Sequence, residues 1–296
     1  MAKTREIKRR MKAVGNIERI TKTMQMIATA RFQAALRVVT QSKAYAQKIR
    51  ELVGELAAAQ GGDEGSVAHP LLRCAEAPQR HLLLVLTSQR GLCGAYNTNV
   101  LRAAMTFRKD QKADKVDLEV VGKKGVAYFQ FNAVPIAQHH DHIGDKPQFA
   151  DVEALATRYI EAFTEGDYDG VHVAYMGFET VARQSPRVQT ILPLADPAAS
   201  PQAGPSGPHV SVDYDYSPDP ESLLNELLPT TVKTQLFQCF NEAALGEHVA
   251  RMVAMKNATD SAGKMKRELS LRFNRARQAS ITTELTEIIS GAQSLE

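Results

Sequence analysis

Apolar and small residues recur at helical spacing along the first 60 residues of the chain, and from Val38 on the steps between them are 4, 3, 4, 3 and 4. Steps that alternate between three and four residues are the heptad spacing of a coiled-coil seam, in which one helix packs lengthwise against another. The pattern predicts one long helix over residues 1–60, which the glycine-rich segment from Gly61 ends. The seam positions are, in order, Ile7, Met11, Val14, Met24, Ile27 or Ala28, Ala35, Val38, Ser42, Tyr45, Ile49, Leu52 and Leu56.

A second stripe of this kind begins at Pro220 and predicts a C-terminal helix over residues 220–296. All 13 prolines lie between Pro70 and Pro229, and proline breaks helices because it lacks an N–H group. Two such long helices need partners along their length, and we expect them to pack against each other. The stretch from Ile281 to Leu295 should form a lone tip surrounded by another protein. The stripe consists of Leu223, Leu224, Leu227, Leu228, Val232, Leu236, Phe237, Phe240, Met252, Met255, Ala262, Met265, Leu269, Phe273, Ala276 and Ser280.

The middle of the chain, residues 61–219, alternates strand and helix patterns. This order is typical of an α/β domain with a mostly parallel sheet. Residues 196–219 are rich in Pro, Gly and Ser, and we interpret them as an exposed loop that leads into the second long helix. The predicted strands are His81–Thr87, Leu118–Val121, Val134–Ala137, Val171–Met176 and Val188–Leu192, and the predicted helices are Ala95–Arg108, Val126–Phe131 and Val152–Thr164.

Charge changes the interpretation of the N-terminal helix. The whole chain of 296 residues has a formal net charge of only +3, yet residues 1–60 carry 13 Lys or Arg against 4 Glu. A basic arm of this kind suits nucleic acid, an acidic lipid surface or an acidic protein cavity, and a merely solvated helix face is an equally open interpretation. The sequence has no run of 18 apolar residues and no apolar signal-peptide core near its N-terminus, so neither a membrane span nor a signal peptide is expected. Three scattered cysteines suit a reducing compartment.

Three segments carry residue types that could support chemistry, and none makes a convincing catalytic site. The loop from Arg90 to Gly94 and the turn from Gly122 to Gly125 each follow a strand, but neither matches a nucleotide-binding fingerprint. The glycines are expected to serve tight turns. The segment from His139 to His142 has metal-ligand residue types, and a surface loop is the favoured interpretation. No cofactor, metal ion or catalytic residue is therefore predicted.

Several long strings identify the family that the chain resembles. The string Ile20–Ala28, ITKTMQMIA, is close to a motif of the γ subunit of F-type ATP synthases. The strings Glu247–Thr259 and Asn274–Ala292 resemble the C-terminal signature of that family, and Arg90–Asn99 matches it in mid-chain. These matches are ordered and extend from one end of the chain to the other.

The resemblance implies a central-stalk rotor that carries no catalytic site itself. In the family, the two terminal helices form an antiparallel coiled coil inside a hexamer of α and β subunits. A Rossmann-like α/β domain lies against the ε subunit and the membrane c-ring, with one copy in each complex. The expected location is the cytoplasmic face of a bacterial cell membrane, as a peripheral protein. The alternative is a coiled-coil adaptor or a nucleic-acid-binding protein that uses the basic arm.

The resemblance also implies site residues. Met24 matches the position where the rotor meets a moving loop of the β subunit, and Arg251 is expected close to it on the opposite helix. Tyr214 and Tyr216 match the region that approaches the ε subunit and the c-ring. The remaining expected rotor–stator contacts are Lys22, Arg277, Gln278, Thr282 and Glu287.

Overall fold

A computed structural model describes residues 2–60, 69–73, 79–111, 115–194 and 220–293. A single 3₁₀ turn, Pro70–Leu72, precedes the first strand. Among the described helices, none is long and apolar enough to cross a membrane. The elements are α1 (Ala2–Gln60), β1 (Arg80–Leu86), α2 (Tyr96–Asp110), β2 (Lys115–Val121), α3 (Lys123–Phe131), β3 (Gln138–His140), α4 (Phe149–Glu165), β4 (Gly170–Phe178), β5 (Gln184–Leu192) and α5 (Pro220–Gln293).

The chain forms two compact units, and each long helix contributes one part to each of them. The first unit, here called the two-helix unit, comprises Met1–Ala30 and Arg251–Glu296. The second, here called the α/β unit, comprises Arg31–Ala250. The long helices predicted at the two ends of the chain are therefore present, with α1 at 59 residues and α5 at 74.

The α/β unit is built on a five-stranded sheet with the strand order β3-β2-β1-β4-β5. Strand β1 lies at the centre and pairs in parallel with β2 and β4, while β5 pairs antiparallel with β4 at the edge. This confirms the predicted α/β class with a mostly parallel sheet. The order of the first four strands is that of a doubly wound fold, in which helices cover both faces.

Alternate residues of β1 enter two separate cores, because successive side chains of a strand point to opposite faces. Leu82, Leu84 and Leu86 pack on the side of α4, where residues of α1 and α5 complete the cluster. Leu83 and Val85 pack on the side of α2 and α3. All five leucine and valine side chains are buried, which explains the continuous apolar run in the sequence.

One predicted strand is wrong. The expected strand at Val134–Ala137 has no regular secondary structure, and the edge strand β3 lies at Gln138–His140. Its pairing with β2 is parallel and joins Glu119 to Gln138 and Val121 to His140. Polar residues form this strand because the buried carboxylate of Glu119 accepts a 2.7 Å hydrogen bond from His140 Nε2.

The predicted seam of α1 is shifted by one residue within the α/β unit. Val38, Tyr45 and Leu52 are 40–58% exposed, although the prediction placed them in the seam. Their neighbours Val39, Ala46 and Val53 are buried instead, whereas Ile49 is buried as predicted. The heptad spacing is retained, and at Tyr45 and Ala46 the smaller side chain is the one that faces inward.

In the two-helix unit, α1 and α5 run antiparallel. Thr259 donates a 2.8 Å hydrogen bond to Thr21, and Lys266 Nζ lies 2.9 Å from Glu18 Oε2. The pair with the higher residue number on α5 thus has the lower residue number on α1. Most of the buried positions between the helices are small residues or methionine, and one predicted seam residue, Met265, is wrong because it is 53% exposed. The buried apolar set is Ala28, Met255 and Ala262.

Helix α5 begins at Pro220, as the sequence indicates, but it also contains Pro229. Proline is favoured in the first turn because the N–H groups there have no helical partner. Pro229 lies beyond that turn, where its ring removes one hydrogen bond from the helix. The neighbouring side chains of Leu228 and Val232 are fully buried in the α/β core. Packing of this face compensates for the missing bond, so the helix continues through Pro229.

Candidate functional site

The outer surface of the two-helix unit carries an apolar stripe on α1 that lies beside the seam. Ile17, Ile20 and Ile27 are 52–59% exposed, and Met24 lies half-buried between them. Their spacing of three, four and three residues places all four side chains along one line of the helix. Large apolar side chains that remain exposed in a contiguous line indicate a surface that another protein covers.

A groove of about 950 Å³ runs along the same unit and is lined mainly by basic side chains. Its charged residues on α1 recur at heptad spacing, so their positive charges form a stripe parallel to the seam. Glu18, the acidic residue of the lining, is paired with Lys266, and the excess positive charge of the groove would attract an acidic surface. The basic lining residues are Arg5, Lys8, Arg9, Lys12, Arg19, Lys22 and Lys266.

The last turns of α5 expose a third surface. Ile281, Leu285, Ile288 and Ile289 are 49–68% exposed. The hydroxyl of Thr282 donates a 3.0 Å hydrogen bond to the backbone carbonyl of Gln278, as is usual for threonine inside a helix. These exposed apolar side chains favour the prediction of a helix end that something else surrounds, which stays a prediction.

The residues predicted from the resemblance, which include a fourth group on the distal part of α5, lie in different parts of the structure. Lys22 lines the basic groove, and Met24 lies in the apolar stripe. Arg251 is only 9% exposed, so its contacts lie largely within the chain. Tyr214 and Tyr216 lie outside the described residues. The fourth group is exposed along the distal part of α5 and consists of Arg277, Gln278, Thr282 and Glu287.

Sequence reasoning missed several residues of this surface. Ile17 and Ile20 were not assigned to any surface, and Ile27 was offered as an alternative seam residue to Ala28. The structure buries Ala28 to 2% exposure and leaves Ile27 52% exposed. The available signal was the surplus of apolar residues, because a single seam needs only two positions in each heptad.

The glycine-rich turns of the α/β unit have a structural explanation. A Cβ atom added to Gly122 would lie 2.2 Å from the carbonyl oxygen of Thr87, and one added to Gly125 would lie 2.6 Å from the Thr87 hydroxyl. That hydroxyl donates to the carbonyl of Val121 at 2.8 Å and accepts from the N–H of Gly125 at 2.9 Å. Thr87 therefore occupies the space beside these glycines, in agreement with the expectation that they serve a tight turn.

The loop from Arg90 to Gly94 is also held by internal contacts. Ser88 is fully buried, and its hydroxyl donates to the carbonyl of Arg90 at 2.7 Å while accepting from Asn97 Nδ2 at 2.8 Å. Leu92 adopts a positive φ of 66°, and its side chain is 60% exposed. The polar groups of this loop thus bond to one another, which supports a structural role for the string.

The histidine-rich segment does not form the surface loop that the sequence favoured. His140 is buried at the end of β3, although His139 and His142 are exposed. Burial raises the pKa of Glu119, but hydrogen bonds from His140 and Tyr159 and the charge of Arg158 outweigh burial, so that this pKa lies below its usual range. Within the described ranges, no cluster of three or more His, Cys, Asp or Glu side chains could hold a metal ion.

Comparisons with known proteins agree with one another along the chain. The family model described as ATP synthase matches residues 3–295. The ATP synthase gamma chain of Rhodopirellula baltica is 40% identical over 300 residues, which cover 100% of both chains. That of Roseiflexus sp. is 38% identical and covers 100% of this chain and 99% of the relative.

Solved structures show the same fold. The rotor of the mitochondrial ATP synthase of Euglena gracilis gives a TM-score of 0.64 at 17% identity, over 95% of this chain and 99% of that one. The central stalk of the Tetrahymena thermophila enzyme gives 0.55 at 20% identity, over 81% of this chain and 99% of that one. Nothing in these comparisons supports an adaptor or a nucleic-acid-binding protein. The chain belongs to the family of ATP synthase gamma chains.

Proposed function

We propose that this gamma chain is the central-stalk rotor of an F-type ATP synthase. It would couple ion flow through a membrane c-ring to ATP synthesis or hydrolysis on the β subunits. The observation that carries this proposal is the relationship to gamma chains along the full length of the chain. A structural observation supports it, since the two-helix unit leaves an apolar stripe, a basic groove and an apolar tip uncovered.

In this role the chain itself is not catalytic, because the ATP sites belong to its partners. Those partners are a hexamer of α and β subunits, the ε subunit and the c-ring, with one copy of this chain in each complex. The complex would lie at the cytoplasmic face of a bacterial cell membrane, with this chain as a peripheral component. Residues 1–60 and 220–296 would serve as the paired helices and residues 61–219 as the foot, where Tyr214 and Tyr216 would contact ε and the c-ring.

The surfaces of the two-helix unit suit a helix pair that turns inside an acidic protein cavity. Coulomb attraction depends on distance and has no preferred direction, so a basic stripe can stay attracted to acidic groups in several orientations. Met24 in the apolar stripe and Lys22 in the groove would meet β loops as the rotor turns. The further contacts proposed on α5 are the exposed residues Arg277, Gln278, Thr282 and Glu287. A contact of Arg251 with the stator would be limited to the 9% of this residue that is exposed.

The proposed function is tested by assembly. We would co-express this chain with the α and β subunits of its source, purify the complex, and compare ATP hydrolysis with and without this chain. The expected result is a hexamer that holds one copy of the chain and is active only when it is present. If the folded chain stays separate while α and β assemble, the proposal is wrong.

Replacing Met24 with lysine is expected to lower the number of protons pumped per ATP hydrolysed. A lysine at this position extends its charge into a half-buried apolar stripe and would pair with acidic groups of β, which holds the rotor in one orientation. The measurement is the number of protons taken up by membrane vesicles relative to the phosphate released by ATP hydrolysis. Met26→Lys is the matched control, because Met26 is 58% exposed and lies outside the stripe. Equal coupling ratios in the Met24 variant and the parent protein would contradict the prediction.

A further inference from the structure

Two polar pairs interrupt the seam of the two-helix unit. The first pair is Glu18 with Lys266, and the second is Thr21 with Thr259. On α1 these residues lie at heptad steps between Val14 and Ala28, and on α5 they lie at heptad steps between Met255 and Leu269. They therefore occupy seam positions, which in coiled coils are usually apolar. We call them the polar seam pairs.

In the threonine pair, Thr259 is the hydrogen-bond donor and Thr21 is the acceptor. Thr21 is only 9% exposed, and its hydroxyl donates to the carbonyl of Ile17 at 3.0 Å, so that it accepts the bond from Thr259. The Thr259 hydroxyl also lies 2.8 Å from the carbonyl of Met255, its alternative acceptor within α5. Each helix thus satisfies its own hydroxyl, and the bond between the two helices forms only when the two threonines stand opposite each other.

Each residue of the charged pair lies beside a glycine of the opposite helix. Gly15 is three residues before Glu18, and Gly263 is three residues before Lys266. A Cβ atom added to Gly263 would lie 3.6 Å from Glu18 Oε1, and one added to Gly15 would lie 4.0 Å from Lys266 Cε. Each charged side chain therefore extends over a glycine of the opposite helix, and this arrangement exists at one axial alignment of the two helices.

The apolar part of this seam discriminates poorly between alignments. Ala28 and Ala262 are buried but small. If α1 moved by one heptad along α5, one contact of small area would therefore be replaced by another. Polar residues at seam positions are known to specify register. Misalignment would cost Glu18 and Lys266 their partners, whereas Thr21 and Thr259 would lose only the bond between the helices. A slide of one heptad would move Glu18 away from Lys266 by about 10 Å along the axis.

We infer that the polar seam pairs are positioning residues, which fix the axial register of α1 against α5 and thereby the alignment of the rotor surface. The half-buried Met24 on α1 keeps its position relative to α5 only if that register holds. This inference rests on the proposed function for its effect on coupling, while its effect on register concerns the chain alone. The pair Glu18–Lys266 is half-exposed, so its contribution to the free-energy difference between alignments is modest.

Charge exchange tests the inference. Spin labels would be placed on cysteines introduced at Ala13 and Lys264, which are both exposed, in a Cys74→Ser background. Cys93 and Cys239 are buried and would not react. The distance between the labels would be measured in the full chain and in the assembled complex. The variants are Glu18→Lys, Lys266→Glu and the double exchange, and Arg267→Glu is the matched control on an exposed neighbour.

The parent chain is expected to show one narrow distance. Each single variant places like charges together and is expected to shift or broaden this distance, although the core that α1 and α5 share in the α/β unit opposes a slide of a whole heptad. The double exchange should restore the single distance, and Arg267→Glu should leave it unchanged. Protons pumped per ATP in vesicles that carry the complete complex should fall in both single variants and recover in the double exchange.

Each outcome decides the inference. Single variants that keep the parent distance, or a double exchange that fails to restore it, would overturn the role in register. Distances that change as expected while the coupling ratio stays constant would overturn the positioning role in coupling. If the chain does not assemble with α and β at all, the proposed function fails, and the distances in the full chain alone still decide whether the polar seam pairs fix the register.

Discussion

Gly122→Ala is expected to lower the free energy of unfolding of the α/β unit by about 4 kcal/mol, among the largest effects of a single substitution. Gly122 has a φ of 95°, a conformation that residues with a Cβ atom rarely adopt. The added methyl group would also lie 2.2 Å from the carbonyl oxygen of Thr87, which is backbone and cannot turn away. To remove this clash, the end of β1 and the start of α3 must separate. That separation breaks the hydrogen bonds of Thr87 to Val121 and Gly125.

The measurement is urea unfolding followed by tyrosine fluorescence. All eight tyrosines lie between Tyr45 and Tyr216, and the chain has no tryptophan, so this signal reports on the α/β unit. Gly144→Ala is the matched control, because nothing lies within 4 Å of its added Cβ atom. We expect a change within about 0.5 kcal/mol for that variant. Similar urea midpoints for the Gly122 and Gly144 variants would show that the turn tolerates a side chain.

Acid is expected to destabilise the α/β unit through His172. Its Nε2 atom lies 3.0 Å from His81 Nδ1, and its Nδ1 atom lies 3.0 Å from the hydroxyl of Thr190. Burial, together with the charge of His81, lowers the pKa of His172 to about 4. Between pH 6.5 and about 4 the unfolded chain therefore binds a proton that the folded chain does not bind, so the free energy of unfolding falls as the pH falls.

The size of this loss follows from the pKa difference. A shift from 6.5 to about 4 corresponds to about 3 kcal/mol, lost between pH 7 and pH 4. His172→Gln keeps a polar side chain at this position but does not titrate, so its unfolding free energy should fall less over the same range. The comparison of the two proteins by urea unfolding at several pH values isolates this histidine from the carboxylates. Parallel pH profiles would contradict the assignment.

The sequence predicted the long helices and the α/β middle well, because helix and strand periods are local properties of the chain. It placed the seam of α1 at Tyr45, one residue from the buried Ala46. Both residues continue a heptad, and only the space available between the packed helices selects the smaller one. Glu18 and Thr21 were missed for the opposite reason: a polar residue counts against a seam unless its partner on the other helix is known.

For the candidate site, too, the sequence predicted local features and missed those that depend on packing between distant residues. The resemblance of the string Ile20–Ala28 predicted contacts on this segment of α1, which stay a prediction, and the structure shows that the segment has both a buried face and an exposed apolar stripe. The buried position of Arg251 could not be predicted, since it depends on packing between residues that are distant in sequence. His140 was assigned to a loop because its partner Glu119 is 21 residues away and belongs to another strand.

The antiparallel pairing of the two chain ends has a consequence for synthesis of the protein on the ribosome. Thr21 meets Thr259, so the first 30 residues have no partner until the last 46 have been made. At roughly 5–20 residues per second, the interval is on the order of 10–50 s. Throughout that time Ile7, Met11 and Val14 face water on a growing chain. A newly made gamma chain should therefore bind general chaperones through its N-terminal helix and release them only after its own C-terminus emerges.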